Sequence, residues 1–559
     1  MRRGNLAALQ FEQSITLIDE RGGDFDRNLN DLQRMMRATG IHFTHRERGM
    51  KKKLAFACVT SLLLLGSAQG QGQPDARSVL KAASAAMGAN NMTSFQVSGT
   101  GYVGAVGQNF APDRDWPHFD MKSYTRTVDL NTGSSREEMV VVQGNNVQQG
   151  GGGTPIVGEQ TRIQLVSGNV AWNINGTNVV PQPALAEQRQ LEVMLSPYGF
   201  LKYAMANNPT AVTRNEYDQR VTVVSFVALG KYRVNGTINA QNQVQRVQTW
   251  IANPVVGDMY YENVYTLYRT INGVQVPGRW HQHQDFDDGG TPNPSGGDHA
   301  FSLDVVTDFK VNVPNAGLTV PDAARNATVP AVNVNSTRLG DGLWLIGGGT
   351  HNSVAIEFRD HVAVIEGPLN EARSLAVIGE VTRLIPNKPI RFVINTHHHW
   401  DHLGGLRTFV HEGATIVTHE NNKAYYQEVL RPRPWVLQPD RYSLFPPEEW
   451  SEGYVFETMR EKYVLADDTR TVELYSVQGL QHAAGMLIAY FPKEKIVVNA
   501  DLYTPPAAGA PMPTPNLSAR IFYNNLQRLK LDVAQHVPIH GNPGPAAQFT
   551  QIITAAAAR

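Results

Sequence analysis

The stretch Arg391-Phe392-Val393-Ile394-Asn395-Thr396-His397-His398-His399-Trp400-Asp401-His402-Leu403-Gly404-Gly405 decides how the C-terminal part of this chain folds. Phe392 to Ile394 read as a buried strand running into a loop with the spacing His-x-His-x-Asp-His, and Gly404-Gly405 open the helix that follows. Residues two apart in an extended loop project to the same side, so His397 and His399 can grip one ion. The turn after them delivers Asp401 and His402 to a neighbouring position. Imidazole and carboxylate at this density suit zinc best, with iron or manganese as alternatives.

By itself such a cluster could be a surface patch or a structural site. Three later segments argue for more. Gln478-Gly479-Leu480-Gln481-His482 places a histidine after a strand-like run, with glycine nearby to let the backbone approach. Ile496-Val497-Val498-Asn499-Ala500-Asp501 is an apolar strand ending in a carboxylate, and Val537-Pro538-Ile539-His540-Gly541 ends another in a histidine. Each candidate ligand falls at the end of a strand, where a layered α/β domain gathers its site.

The order His-x-His-x-Asp-His, then His, then Asp, then His-Gly resembles the metallo-β-lactamase superfamily, over about Val332 to Arg559. The resemblance implies an αβ/βα sandwich with two metal ions between its sheets. His397, His399 and His482 would hold the first ion, Asp401, His402 and His540 the second, and Asp501 would bridge them. His398 matches no ligand position and should point away. His536 lacks the following glycine that marks His540. The implied chemistry is hydrolysis by a metal-bound hydroxide, with Asp401 orienting the water and accepting its proton. One departure stands out: where the family has an aspartate after an early strand, Val362-Ala363-Val364-Ile365-Glu366-Gly367-Pro368 supplies Glu366. Glu366 either keeps that supporting role with a longer side chain or is a turn residue. His351 and His419 read as structural.

Oxygen at Asp501, where many β-lactamases of the superfamily carry cysteine, leans toward ester, thioester, lactone or phosphodiester bonds. β-Lactam hydrolysis is the runner-up. The short stretch after His540 leaves no room for the added domains of hydroxyacylglutathione hydrolases or alkylsulfatases. A reading of a different class is a periplasmic carrier of lipid or peptide with a vestigial metal domain, which the full set of seven candidate ligands disfavours.

Upstream of a Pro-, Ala- and Asn-rich linker at 316–334, the pattern changes to runs of β-branched residues. Residues 74–315 read as one antiparallel β domain, and 335–559 as the hydrolase domain. A short helix is expected from Asp75 to about Asn90, and a second from Leu185 to Met205, broken near Pro197. Asn175-Gly176, Asn235-Gly236 and Asn272-Gly273 are expected to be hairpin turns. Helix first and curved sheet after is loosely similar to the β half-barrels of periplasmic lipoprotein carriers. The whole is thus an α+β protein of two domains. Within the β domain, Trp280-His281-Gln282-His283-Gln284-Asp285 puts His281, His283 and Asp285 on one face of a strand. A solvated polar face explains this run. A metal site would need another ligand and supporting groups from elsewhere in the chain.

Met50-Lys51-Lys52-Lys53 followed by Leu54 to Gly66 and Ser67-Ala68-Gln69-Gly70 has the form of a secretory signal peptide at 50–70, cleaved before Gln71. Its apolar run is short for a membrane span. Residues 1–49 then precede the natural start and read as a gene-model extension. A periplasmic or secreted mature protein without an integral membrane segment is expected. The one cysteine, Cys58, lies in that leader, so the mature chain would have neither disulfides nor a thiolate ligand. A net charge of -1 gives no reason to expect nucleic acid as a partner, and a small-molecule substrate is the expectation.

Overall fold

Asp75 caps the first helix, Ala76–Ala86, its carboxylate accepting from the Ser78 amide at 2.9 Å. In this computed structural model the described residues are 73–216, 218–285, 299–431, 433–446, 456–507 and 509–557. The expected leader at 50–70, the stretch before it, the cleavage point at Gln71 and the loop Pro292 to Gly297 lie outside them. Among the described residues no helix is long and apolar enough to cross a membrane.

The β domain is one thirteen-stranded antiparallel sheet. Its first strand, Ser94–Gly104, and its last, His299–Val311, pair with each other in the middle of the order. The edges are Asn178–Pro181 and Thr210–Glu216, so the sheet is open and not a closed barrel. Two helices, Ala186–Leu195 and Pro197–Ala206, bury Leu191, Leu195 and Phe200 against it. The break falls at Ser196, whose hydroxyl accepts from the Gly199 amide, with Pro197 opening the second helix.

Asn175-Gly176 and Asn272-Gly273 each join two paired strands, as expected. Asn235-Gly236 does not: it lies inside the strand Tyr232–Ile238. The glycine is there because the Phe200 ring rests on it, and a Cβ would come within 2.0 Å of that ring. The segment 316–334 includes a short helix, Asp322–Arg325, whose Ala324 packs on Leu165 and Trp172.

Two further sheets make the C-terminal sandwich. A seven-stranded one runs from Asn335–Gly340 to Phe456–Met459, and a six-stranded one from Lys462–Ala466 to Gly544–Pro545. Leu345, Ile356, Ile394, Val417, Leu474, Ala489, Val498 and Val537 fill the space between them. Val362–Ile365, Ile390–Ile394, Thr415–His419 and Phe456–Met459 are parallel neighbours, and Ile496–Asn499 runs parallel to Gln535–Pro538. Parallel strands joined by helical crossovers bring their C-terminal ends to one edge, which is where the candidate ligands collect.

The two domains share a core. One apolar cluster runs from Leu80 and Phe95 in the β domain to Trp400, Phe409 and Tyr426 in the sandwich. Trp116 meets Trp400 edge to face at 5.8 Å, and the Trp435 ring lies where a Gly257 Cβ would project.

Candidate metal centre

Each candidate ligand sits just past a strand. His397, His399, Asp401 and His402 follow Ile390–Ile394, Asp501 follows Ile496–Asn499, and His540 follows Gln535–Pro538. Asn395 donates from its side-chain Nδ2 to the His402 carbonyl at 3.1 Å and tightens the turn that carries the first four.

The side chains fall into two groups, with the ligand atoms of each group lying within 4.8 Å of one another. His397, His399, His482 and Asp501 form one. His351, Asp401, His402 and His540 form the other. Asp501 reaches both, with Oδ2 at 3.2 Å from His397 Nε2, 3.0 Å from His482 Nε2 and 3.0 Å from His402 Nε2, and Oδ1 at 2.8 Å from His540 Nε2.

Groups on the far side of the rings fix which nitrogen faces inward. His402 Nδ1 donates to Glu366 Oε2 at 3.0 Å, and His540 Nδ1 to the Thr350 carbonyl at 3.0 Å. Their Nε2 atoms then meet 3.2 Å apart. Two neutral rings so held would face lone pair to lone pair, an arrangement that calls for positive charge between them. His397 Nε2 and His399 Nδ1 converge in the same way at 3.0 Å. Burial and the neighbouring rings push His397 and His399 well down, toward neutral imidazole. Burial opposes a charge on His402, yet Asp501 and Glu366 hold its pKa well above the usual histidine range. For Asp501 burial favours the neutral acid, but His402, His397 and His482 hold it well below the ordinary carboxylate range. Convergent imidazole nitrogens around ionised carboxylates fit a cation, and nitrogen and oxygen donors of this kind fit zinc.

Glu366 keeps a supporting role and is not a turn residue. It is fully buried, accepts the Thr396 amide at 2.7 Å through Oε1, and holds His402 through Oε2. Its backbone is left-handed, φ 70°, as is that of Asp501 at 57°, a conformation that non-glycine residues hold only where the surroundings enforce it. His398 turns away from both groups and donates from Nε2 to the Asn109 carbonyl at 2.8 Å. His419 caps the helix Glu420–Val429, and His536 is packed among Tyr503, Phe522 and Phe549.

His351 differs from its structural reading. Its Nε2 lies 3.3 Å from Asp401 Oδ2 and its ring centre 4.1 Å from that of His540, inside the second group. Its place in Gly347-Gly348-Gly349-Thr350-His351, past the strand Leu343–Gly347, is the same strand-end signal that marks the candidate ligands. The β domain also reaches the site, which no motif announces. Gln108 Nε2 donates to Asp401 Oδ1 at 2.8 Å, and the Asn109 carbonyl accepts from His399 Nε2 at 3.0 Å.

Residues 340–488 match the family model described as Metallo-beta-lactamase superfamily. The C-terminal region thus carries a metallo-β-lactamase-like αβ sandwich, matched by that family model over 340–488. Solved structures similar to this chain include the metallo-beta-lactamase from Pontibacter korlensis, at 16% identity and TM-score 0.30, covering 41% of this chain and 100% of that one. The metallo-beta-lactamase from Hirschia baltica is 17% identical with TM-score 0.30, covering 40% of this chain and 98% of that one. No curated protein matches the chain. All seven residues expected as ligands fall in the two groups, joined by His351.

Proposed function

We propose that the chain is an exported dinuclear zinc hydrolase that cleaves an ester, thioester, lactone or related bond in a small molecule. The observation that carries this reading is the position of Asp501, one carboxylate whose two oxygens face both groups of histidines. His397, His399 and His482 would hold one ion, and Asp401, His402 and His540 the other. When bound, two such ions lower the pKa of water toward neutrality and stabilise negative charge developing on a substrate oxygen.

The chain's own groups divide the remaining work. Glu366 and the Asn109 carbonyl orient the His402 and His399 rings so that His402 Nε2 and His399 Nδ1 face inward, where they would bind the ions. Asp401 is the carboxylate that water reaches, with its side chain 36% exposed against 15% for Asp501. Gln108 holds Asp401 Oδ1 and His351 lies beside Oδ2, so the carboxylate is oriented before it accepts the water proton. Burial opposes ionisation of Asp401, but the hydrogen bond to His351 and the charge of His402 hold it well below the ordinary range. It is therefore ionised at neutral pH.

The test is a screen of the mature zinc-loaded protein against ester, thioester, lactone, β-lactam and phosphodiester panels. Turnover on a carbonyl panel that Asp501→Ala abolishes is expected. Full metal content with no turnover on any panel would overturn the reading. Export is checked separately by sequencing the N-terminus of exported protein, expected near Gln71.

A further inference from the structure

The strands Gly257–Thr266, Arg279–Asp285 and His299–Val311 are neighbours in the β domain. Their register sets Glu262 opposite His283, and His283 opposite His299, with His281 two residues along on the same face. Three imidazoles from two strands thus meet, their ring centres 4.5, 5.2 and 5.4 Å apart, and one nitrogen from each lies within 4.8 Å of the others.

Each ring is also oriented through Nδ1 by an oxygen. For His283 this is Glu262 Oε2 at 3.0 Å, for His299 it is Asp115 Oδ2 at 3.1 Å, and for His281 it is Ser302 Oγ at 3.3 Å. A solvated polar face gives no reason for three rings to converge while each is tied by the same nitrogen to a different oxygen. Metal-binding histidines show this pattern: a carboxylate or hydroxyl on one nitrogen fixes the tautomer and raises the basicity of the other. Glu262 is in turn held by Arg246 at 3.3 Å and by the Tyr260 hydroxyl at 3.0 Å, so its position is set before any ion arrives.

We propose that His281, His283 and His299 form a separate site in the β domain for one late first-row divalent cation, zinc by preference. Three imidazoles leave a fourth tetrahedral position for water or a ligand. The His283 and His299 side chains are 27% and 40% exposed, which gives an ion a path in from solvent. Asp115 belongs to the connection between Ser94–Gly104 and His118–Asp129 that also carries Gln108 and Asn109, so an ion here would tie down the segment that reaches the C-terminal centre.

The full chain, stripped of metal and titrated with zinc, tests this in four forms: the parent, two double variants and their combination. His281→Ala/His283→Ala is expected to bind one equivalent fewer than the parent, whatever number the C-terminal centre takes. A His397→Ala/Asp501→Ala variant is expected to retain one equivalent that His281→Ala/His283→Ala then removes. Equal zinc binding by the parent and His281→Ala/His283→Ala overturns the proposal, independently of whether the C-terminal domain is active. Should the β-domain variant fail to fold, crystals of the parent soaked in zinc decide the matter. An anomalous peak bounded by the three rings is expected, and its absence when the C-terminal centre is filled overturns the site.

Discussion

Glu366 shows how much a single side chain carries here. Its two oxygens serve two donors, the Thr396 amide and the His402 ring, and both belong to the loop that bears the ligands. Glu366→Gln can still accept from the Thr396 amide but no longer offers His402 a charge. Zinc affinity, read by chelator competition, is expected to fall about 10–100-fold; unchanged affinity would leave Glu366 as a loop anchor only. Asp401→Asn separates chemistry from binding, because the amide keeps size and an oxygen but accepts no proton. Turnover is expected to drop about 10²–10⁴-fold, with metal content measured in the same preparation. Full metal with near-parent turnover would make Asp401 a ligand alone. Asp401 was legible as a candidate because ligand chemistry restricts both residue type and spacing, whereas the sequence left Glu366 open between a supporting group and a turn residue. His351 was harder to read, since a lone histidine after three glycines shows its neighbours only once Asp401 and His540 are folded beside it.

Between elements, long-range partners override local signals. Asn235-Gly236 has the composition of a turn, yet the Phe200 ring, from a distant helix, determines what the glycine is for. The segment after Gly104 is the opposite case, with no signal in its own sequence and contacts 293 residues away. Gly107 is its contact point: φ is 72°, the Trp400 amide donates to its carbonyl at 3.1 Å, and a Cβ would sit 2.4 Å from the Trp400 ring. Gly107→Val should lift Gln108 and Asn109 off Asp401 and His399, weakening zinc binding about tenfold or more. Parent-like affinity in the chelator assay would show that the segment merely packs. A second device holds the helix Leu406–His411. Arg407, between the Trp435 and Tyr442 rings at 3.9 and 4.2 Å, pairs with Asp440 through Nε at 2.6 Å, and both are buried. Removing one partner of such a pair costs about 3–5 kcal/mol, so Asp440→Ala should lower stability by that order in denaturant titration. Burial favours the neutral acid at Asp440, but Arg407 holds its pKa below the ordinary value. This contribution is therefore present above the unfolded pKa of about 3.9 and lost as pH falls through the lower folded value. The gap between parent and variant should narrow in acid; a gap constant from pH 7 to 3 would contradict the assignment.

At the scale of the molecule, the mixed α+β class could be read from the change in pattern along the chain, and the αβ sandwich from the resemblance that the ligand motif carries. The dependence of the β domain and the sandwich on each other could not, because the contacts join residues hundreds of positions apart with no shared pattern. The sandwich lacks a finished surface on the side that meets the sheet. Trp400 is buried to 9% exposure with Trp116 and Gly107 against it. Asp258 accepts the Val436 and Leu437 amides at 2.9 and 3.0 Å, anchoring the Trp435 segment to the β domain. A chain beginning at Val332 would expose the Trp400 and Trp435 faces and lose the carbonyl that holds His399. An exposed aromatic uncovers about 150–250 Å² of apolar surface, enough for a cluster of them to drive association. The full chain should therefore unfold in one transition from 74 to 559. The isolated sandwich should aggregate, or bind zinc at least about tenfold more weakly, through loss of the ring-orienting carbonyl. Calorimetry and zinc competition on the two chains check this. A truncated domain that stays monomeric, melts where the parent does and binds zinc equally well would mean that the β domain adds nothing to the metal centre.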